Sequence, residues 1–459
     1  MTIETLPDDA LLEVFDFYVH DIFVREEWIT LTHVCRRWRY IVFASPTRLN
    51  LTLYCKPKKP VREMLDTWPP FPIVIDDLAS SEEGANKIIA TLEHNDRVCG
   101  IDIYIEELSS SLLGRFARAM QEPFPELTHL ELRSANETLV LPDTFLAGSA
   151  PRLRSCLLDN LPFLALRNLL LSATHLVVLC LDKIPHSAYT SPEAMVTCLA
   201  AVTSLKFLQL RFLSSQPRPS YETRHLPPLI RTILPALTDF DFHGVSEYLE
   251  DFISRVDTPL LDEVDIGFFY QLASDLSQLD QFISRTEALS ALNIVNLDLD
   301  CDHTKVELSQ QTLENSRSMF RLSVRCNGSH WQLSFLAQAF SSLSPTLSTF
   351  ETINIRENRF RPVTPILEGG MENSQWLELF HPFTSVKNLY LHEDVAPLVV
   401  PALRHFAEES VTNVLPILQI IYVEGLQPSG PIQEGIGQFV AARQLFNQPV
   451  AVVPWDGPD

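Results

Sequence analysis

Twelve times along this chain a six-residue pattern, apolar-x-x-apolar-x-apolar, returns at intervals of 23 to 36 residues. It runs Val98-Ile101-Ile103, Leu127-Leu130-Leu132, Leu153-Cys156-Leu158, Leu176-Leu179-Leu181, Leu205-Leu208-Leu210 and Leu237-Phe240-Phe242. It continues as Leu261-Val264-Ile266, Leu289-Leu292-Ile294, Met319-Leu322-Val324, Phe350-Ile353-Ile355, Val386-Leu389-Leu391 and Leu418-Ile421-Val423. The last two apolar positions stand two apart, the period of a strand that buries one face. Helical periodicity fills the gaps, as in 248–255 and 279–285. A unit of one strand and one helix cannot bury its apolar face alone, so neighbouring units must stack. The same strands would also suit an open α/β sheet, but their recurring spacing favours a repeat array.

This pattern resembles the leucine-rich-repeat strand signature, at longer and less regular spacing. The resemblance implies an α/β fold in which 49–427 form an irregular leucine-rich-repeat-like solenoid, a horseshoe of strand-helix units. Residues 428–459 then cap it, with a helix through Phe439–Arg443 and a strand at Pro449–Val453 shielding the last open edge. An asparagine that often closes the turn after the strand is matched at Asn327 and Asn358. A Pro-rich stretch from Gln216 to Pro228 interrupts the array and reads as a surface insertion.

Ahead of the array lies a different pattern. From Pro7 to Val19 the residues Leu11, Leu12, Val14, Phe15, Tyr18 and Val19 fall at helical spacing, with Asp9, Glu13 and Asp16 on the other face. Pro7 suits a first helical turn, and Asp8 and Asp9 suit the positive end of the helix dipole. A second stripe, Leu31, Val34, Cys35, Trp38, Ile41 and Val42, ends at Ser45-Pro46. Leu6-Pro7 followed by Val34-Cys35-Arg36-Arg37-Trp38 resembles the F-box over residues 1–48, though 20–26 lengthen the usual link between helices. The resemblance implies a small all-helical module that docks a Skp-family adaptor, and through it a cullin. Its adaptor contacts would be Leu6, Pro7, Leu11, Leu12, Phe15, Val34, Cys35 and Trp38. An F-box followed by irregular repeats is similar to the large F-box families of fungi.

Side-chain alternation selects the strand residues that point away from the core. The middle of that face is expected to be acidic, with Asp239, Asp241 and His243 beside Glu263 and Asp265. Later repeats reverse the sign with Arg321, Arg325 and Arg356, and the end turns aromatic with Tyr390 and Tyr422. Aromatic residues and arginine are enriched at protein-binding hot spots, and a face split by charge suits a complementary protein.

Charge and chemistry narrow the function. The formal charge of −23 falls entirely beyond residue 60, where 50 acids face 27 bases. Such a body repels phosphate backbones, so nucleic acid is not the expected partner. No run of about eighteen apolar residues suggests a membrane span, and the acidic N-terminus carries no signal-peptide pattern. The eight cysteines lack Cys-x-x-Cys or zinc-finger spacing and read as reduced and buried. Asp298, Asp300, Asp302 and His303, expected in the loop after a strand, do not follow a calcium-loop pattern, nor do Asp239, Asp241, His243 and Glu263. No catalytic or phosphate-binding motif stands out, so no enzyme activity, metal or cofactor is expected. The expectation is a cytoplasmic or nuclear substrate receptor of a cullin-type ubiquitin ligase that holds a protein substrate on the solenoid. The alternative is a scaffold of the same build that works without the ligase.

Overall fold

The computed structural model is a mixed α/β protein with mostly parallel, open sheets. It describes residues 6–455 apart from 20–26, 47, 50, 56–64, 107, 136–138, 163–165, 215–229, 270–275, 300–302, 311–318, 326–328, 358–372, 410–412 and 428. Asn327, Asn358, Asp300, Asp302 and the Pro-rich stretch therefore lie outside the described residues. Among the described residues no helix is long and apolar enough to cross a membrane. Two compact units divide the chain, Met1–Tyr189 and Thr190–Asp459.

The first unit opens with α1 (Asp8–Val19), α2 (Glu27–Val34) and α3 (Arg36–Ala44). The stripe read as one helix through Val34-Cys35-Arg36 is in fact two. Cys35 is extended (φ −159°, ψ 171°), and its sulfur accepts from the Trp38 backbone N–H at 3.4 Å, so it caps α3 instead of continuing α2. The break lets Trp38 pack against Phe15 with ring centroids 4.7 Å apart and planes tilted by 58°. Leu11, Phe15, Trp28, Ile41 and Val42 are buried. Trp28 meets Trp68 and Phe71 edge-on and donates to the Thr52 carbonyl at 3.2 Å, which ties the helices to the sheet that follows.

That sheet runs β1 (Leu53–Cys55), β2 (Ile73–Ala79), β3 (Val98–Ile105), β4 (His129–Ser134), β5 (Ser155–Asp159) and β6 (Val178–Ile184). Neighbours pair in sequence order, all in parallel. The first two strands lie upstream of the first repeat legible in the sequence. Their apolar residues alternate, but the Leu-x-x-Leu-x-Leu spacing is absent.

One local device recurs in both units. In most of the motifs the first apolar residue closes a tight turn by donating its backbone N–H to the carbonyl three residues back. Leu127, Leu153, Leu176, Leu205, Leu261, Phe350 and Leu418 all do so. These side chains are buried, so each anchors the turn in the core just before its strand begins.

The second unit holds β7 (Phe207–Phe212), β8 (Thr232–Ile233), β9 (Asp239–Gly244), β10 (Val256–Asp257), β11 (Glu263–Phe269) and β12 (Ile294–Leu299). They are followed by β13 (His303–Ser309), β14 (Met319–Arg325), β15 (Thr352–Glu357), β16 (Asn388–Leu391), β17 (Ile420–Glu424) and β18 (Ala451–Trp455). β8 and β10 form a separate two-stranded pair.

The main sheet departs from sequence order, running β7-β9-β11-β14-β13-β12-β15-β16-β17-β18. After β11 the chain leaves two places empty, enters as β12, returns antiparallel as β13, and fills the last place as β14 beside β11. This corrects two expectations. His303 begins a strand and is not part of a loop. The motif at 289–294 is also out of register by three residues. Leu292 donates to the Leu289 carbonyl as the turn anchor, and Val295, Leu297 and Leu299 are the buried strand residues. Alternation hides the slip, because Leu289 and Leu292 are both buried.

The sheet ends with a helix at Pro431–Leu445, which contains the expected Phe439–Arg443, and with β18, two residues later than the strand expected at Pro449–Val453. The Ala451 N–H bonds the Gln419 carbonyl, so residues 451, 453 and 455 turn their backbone toward β17. Pro454 then falls on the outward side, where its missing N–H removes a donor from the free edge.

Candidate functional site

In the N-terminal module, Arg37 holds the Leu6-Pro7 turn in place. Its Nε and Nη2 donate to Asp8 Oδ1 at 3.0 and 2.6 Å, and Nη2 also donates to the Leu6 carbonyl at 2.5 Å. Arg39 reaches back to the Thr32 carbonyl at 2.9 Å, closing the end of α2, and Arg48 pairs with Glu13. Arg37 of Val-Cys-Arg-Arg-Trp, with Arg39 and Arg48 beyond it, thus ties the helices of the module together.

The eight expected adaptor contacts separate by burial. Leu11, Leu12 and Phe15 build the module's own core, Leu6 and Trp38 are half-buried, and Pro7, Val34 and Cys35 are exposed. Sequence reasoning missed the most open apolar groups, Phe17 at 88% and Tyr40 at 73% exposure, with Val14 and Tyr18 also exposed. The signal was Phe17 itself, an aromatic off the apolar stripe and next to Asp16.

The outward strand residues occupy the predicted positions. In the first unit Asp76, Asp102 and Glu131 lie in one row across β2, β3 and β4. Arg133 pairs with Glu131, and Lys183 spans both oxygens of Asp159 at 3.0 Å, which holds its ammonium above the usual lysine range.

In the second unit β9 and β11 place Asp239 opposite Glu263, Asp241 opposite Asp265, and His243 opposite Gly267. The His243 ring packs on Phe269 at 4.4 Å, and a Cβ at Gly267 would stand 2.5 Å from that ring. Glycine there is a packing requirement.

The expected division of this face into acidic and basic parts is not what forms. The charges pair with each other across strands instead. Arg211 on β7 is bidentate to Asp241, with Nε–Oδ1 2.9 Å and Nη2–Oδ2 2.5 Å. Arg321 on β14 donates to Asp265 at 2.7 Å, Arg356 on β15 pairs with Asp298 on β12, and Lys305 pairs with Glu307 at 2.9 Å. Burial pulls the Arg321 guanidinium down, but its bond to Asp265 and the fields of Glu307 and Glu263 outweigh that and hold it above its ordinary value. The return of β13 and β14 carries Arg321 to the strand next to Asp265, although 56 residues separate them in sequence. The backbone of Arg325 pairs with Phe269, and its side chain lies outside the described residues.

Toward β18 the face is aromatic. Tyr390 and Tyr422 stack at 4.2 Å with rings 6° from parallel, and Trp455 meets Tyr390 and His392 edge-on. Burial, with Tyr422 alongside, pushes the Tyr390 phenol up. His392 is nearly buried between Glu424 Oε2 at 2.9 Å and Asn354 Oδ1 at 3.0 Å, which braces three strands.

A cavity of about 150 Å³ opens on the same face at the start of β7, β9, β11 and β14. Phe207 and Met319 form its apolar walls, and Asp239, Asp241, Glu263, Asp265 and Arg321 supply the charge. Among the described residues no group of three or more His, Cys, Asp or Glu is arranged to hold a metal ion. No family model matches the chain, and no curated protein matches it either.

Proposed function

We propose that this chain is a non-catalytic substrate receptor, built as an F-box followed by an irregular leucine-rich-repeat-like solenoid. Its N-terminal helices dock a Skp-family adaptor and so a cullin-type ubiquitin ligase, and the outward sheet face holds a protein substrate. The observation that carries this reading is the exposed apolar surface on helices whose own core is already closed. Phe17, Tyr40, Val34 and Val14 gain nothing from this position in water, and large exposed apolar groups gathered on one small module mark a surface made for another protein. Pro7 and Cys35 are exposed on the same module, at the two motifs that carry the F-box resemblance.

The test is co-purification of the full chain with a Skp-family adaptor and cullin. Wild type is expected to retrieve both. Phe17→Ala with Tyr40→Ala is expected to cut adaptor recovery at least about tenfold, the loss of about 1.4 kcal/mol that truncating hot-spot aromatics readily exceeds. Both positions are exposed, so the double variant should melt like wild type, whereas Trp38→Ala would also disturb the Phe15 contact. No adaptor with wild type sinks the proposal. Adaptor without cullin turns it into the ligase-independent scaffold.

A further inference from the structure

Once the ion pairs across the sheet face are assigned, two carboxylates are left over. Asp241 is taken by Arg211, Asp265 by Arg321, Glu307 by Lys305 and Asp298 by Arg356. Asp239 and Glu263 have no basic side chain at ion-pair distance among the described residues. Asp239 accepts a hydrogen bond from Thr238 Oγ1 at 2.6 Å, and Glu263 is exposed. They are register partners on adjacent strands about 4.8 Å apart, an arrangement of like charges that weakens a sheet.

Two further observations say what fits here. The two carboxylates lie at a cavity, not on a flat surface, and its volume of about 150 Å³ matches one long side chain. Phe207 and Met319 wall it on either side, surfaces suited to an alkyl stem.

We infer that this cavity is a subsite for one lysine or arginine side chain of an extended protein segment. The stem lies between Phe207 and Met319, and the cation meets Asp239 and Glu263. The inference rests on the reading of the sheet face as a substrate surface, but it does not depend on adaptor docking.

The test pans a phage-displayed random dodecapeptide library on the full chain, in parallel with the isosteric double variant Asp239→Asn/Glu263→Gln. Selected peptides are expected to share one basic position with wild type and to lose that preference with the variant. A synthetic selected peptide should bind wild type at least tenfold more tightly than the variant, and replacing its basic residue by norleucine should cause a similar loss. Melting curves of the two proteins should agree closely, because the repulsion relieved between the two carboxylates offsets the lost attraction of Glu263 for Arg321 and no ion pair is broken. Selection without a basic preference overturns the inference, as does equal basic preference on both proteins. Adaptor recovery is measured on the same variant and should be unchanged, so failure of adaptor docking is read separately from failure of this subsite.

Discussion

Asp77 shows how one side chain can oppose the fold that contains it. It lies near the end of β2 beside Ile103 of β3, on the core side of the sheet. Burial pushes its carboxyl up to about 6 from an ordinary 3.8, with the Leu78 N–H and Lys87 only partly offsetting that. The folded state therefore holds this proton more tightly than the unfolded chain. The associated stability is complete below about pH 4 and is lost as pH rises through 6. Asp77→Asn is expected to raise stability at pH 7.5 by about 1 kcal/mol after solvent screening, and to leave it unchanged at pH 4. Urea midpoints across that pH range check it, and equal gains at both ends would contradict the assignment.

Among the elements, packed helices of the second unit are joined through acids. Glu250, nearly buried on helix Ser246–Ser254, accepts from the Gln278 and Leu279 N–H groups at 2.8 and 3.0 Å, which caps helix Ser277–Arg285. Asp280 on that helix accepts from Thr346 N–H at 3.1 Å and Oγ1 at 2.7 Å, at helix Ser344–Leu347. Each carboxylate meets the positive end of its neighbour, where unpaired N–H groups need an acceptor. Glu250→Gln keeps the shape but loses the charge, and should destabilise the second unit by about 1–2 kcal/mol in urea unfolding. No change would mean that water or another side chain caps that helix. Glu250 was legible as part of a helix, but the target of its carboxylate was not, since the two partners are 28 and 29 residues away.

For the whole molecule, the reordered strands decide which parts act together. β11 pairs with β14, and β12 with β15. None of β12, β13 and β14 can therefore detach without opening the sheet on both sides. Native-state hydrogen exchange should show the amides of β11 to β14 opening as one cooperative unit, with a common free energy. Independent exchange of β12 and β13 at lower free energy would refute that. The same reordering brings Arg321 to Asp265 and leaves Asp239 and Glu263 without an ion pair among the described residues, so the charge character of the outward face follows from the sheet order.

The sequence by itself determined most of the parallel strands from β3 onward, the alternation that separates core from outward residues, and the helical character of the N-terminal module and of the C-terminal end, but not β1, β2, β13 or the register of β12. Each feature it determined is a local pattern of period 2 or 3.6, and local patterns survive without knowledge of neighbours. Only the tertiary structure decided the break at Cys35, the order of β12 to β14, and which outward charges cancel. A chain break held by one sulfur, or an ion pair spanning 56 residues, depends on what packs alongside, and strands of the same alternation satisfy the core in more than one order. Periodicity sets the face on which a carboxylate points; the neighbouring strand sets whether it is still free to bind anything.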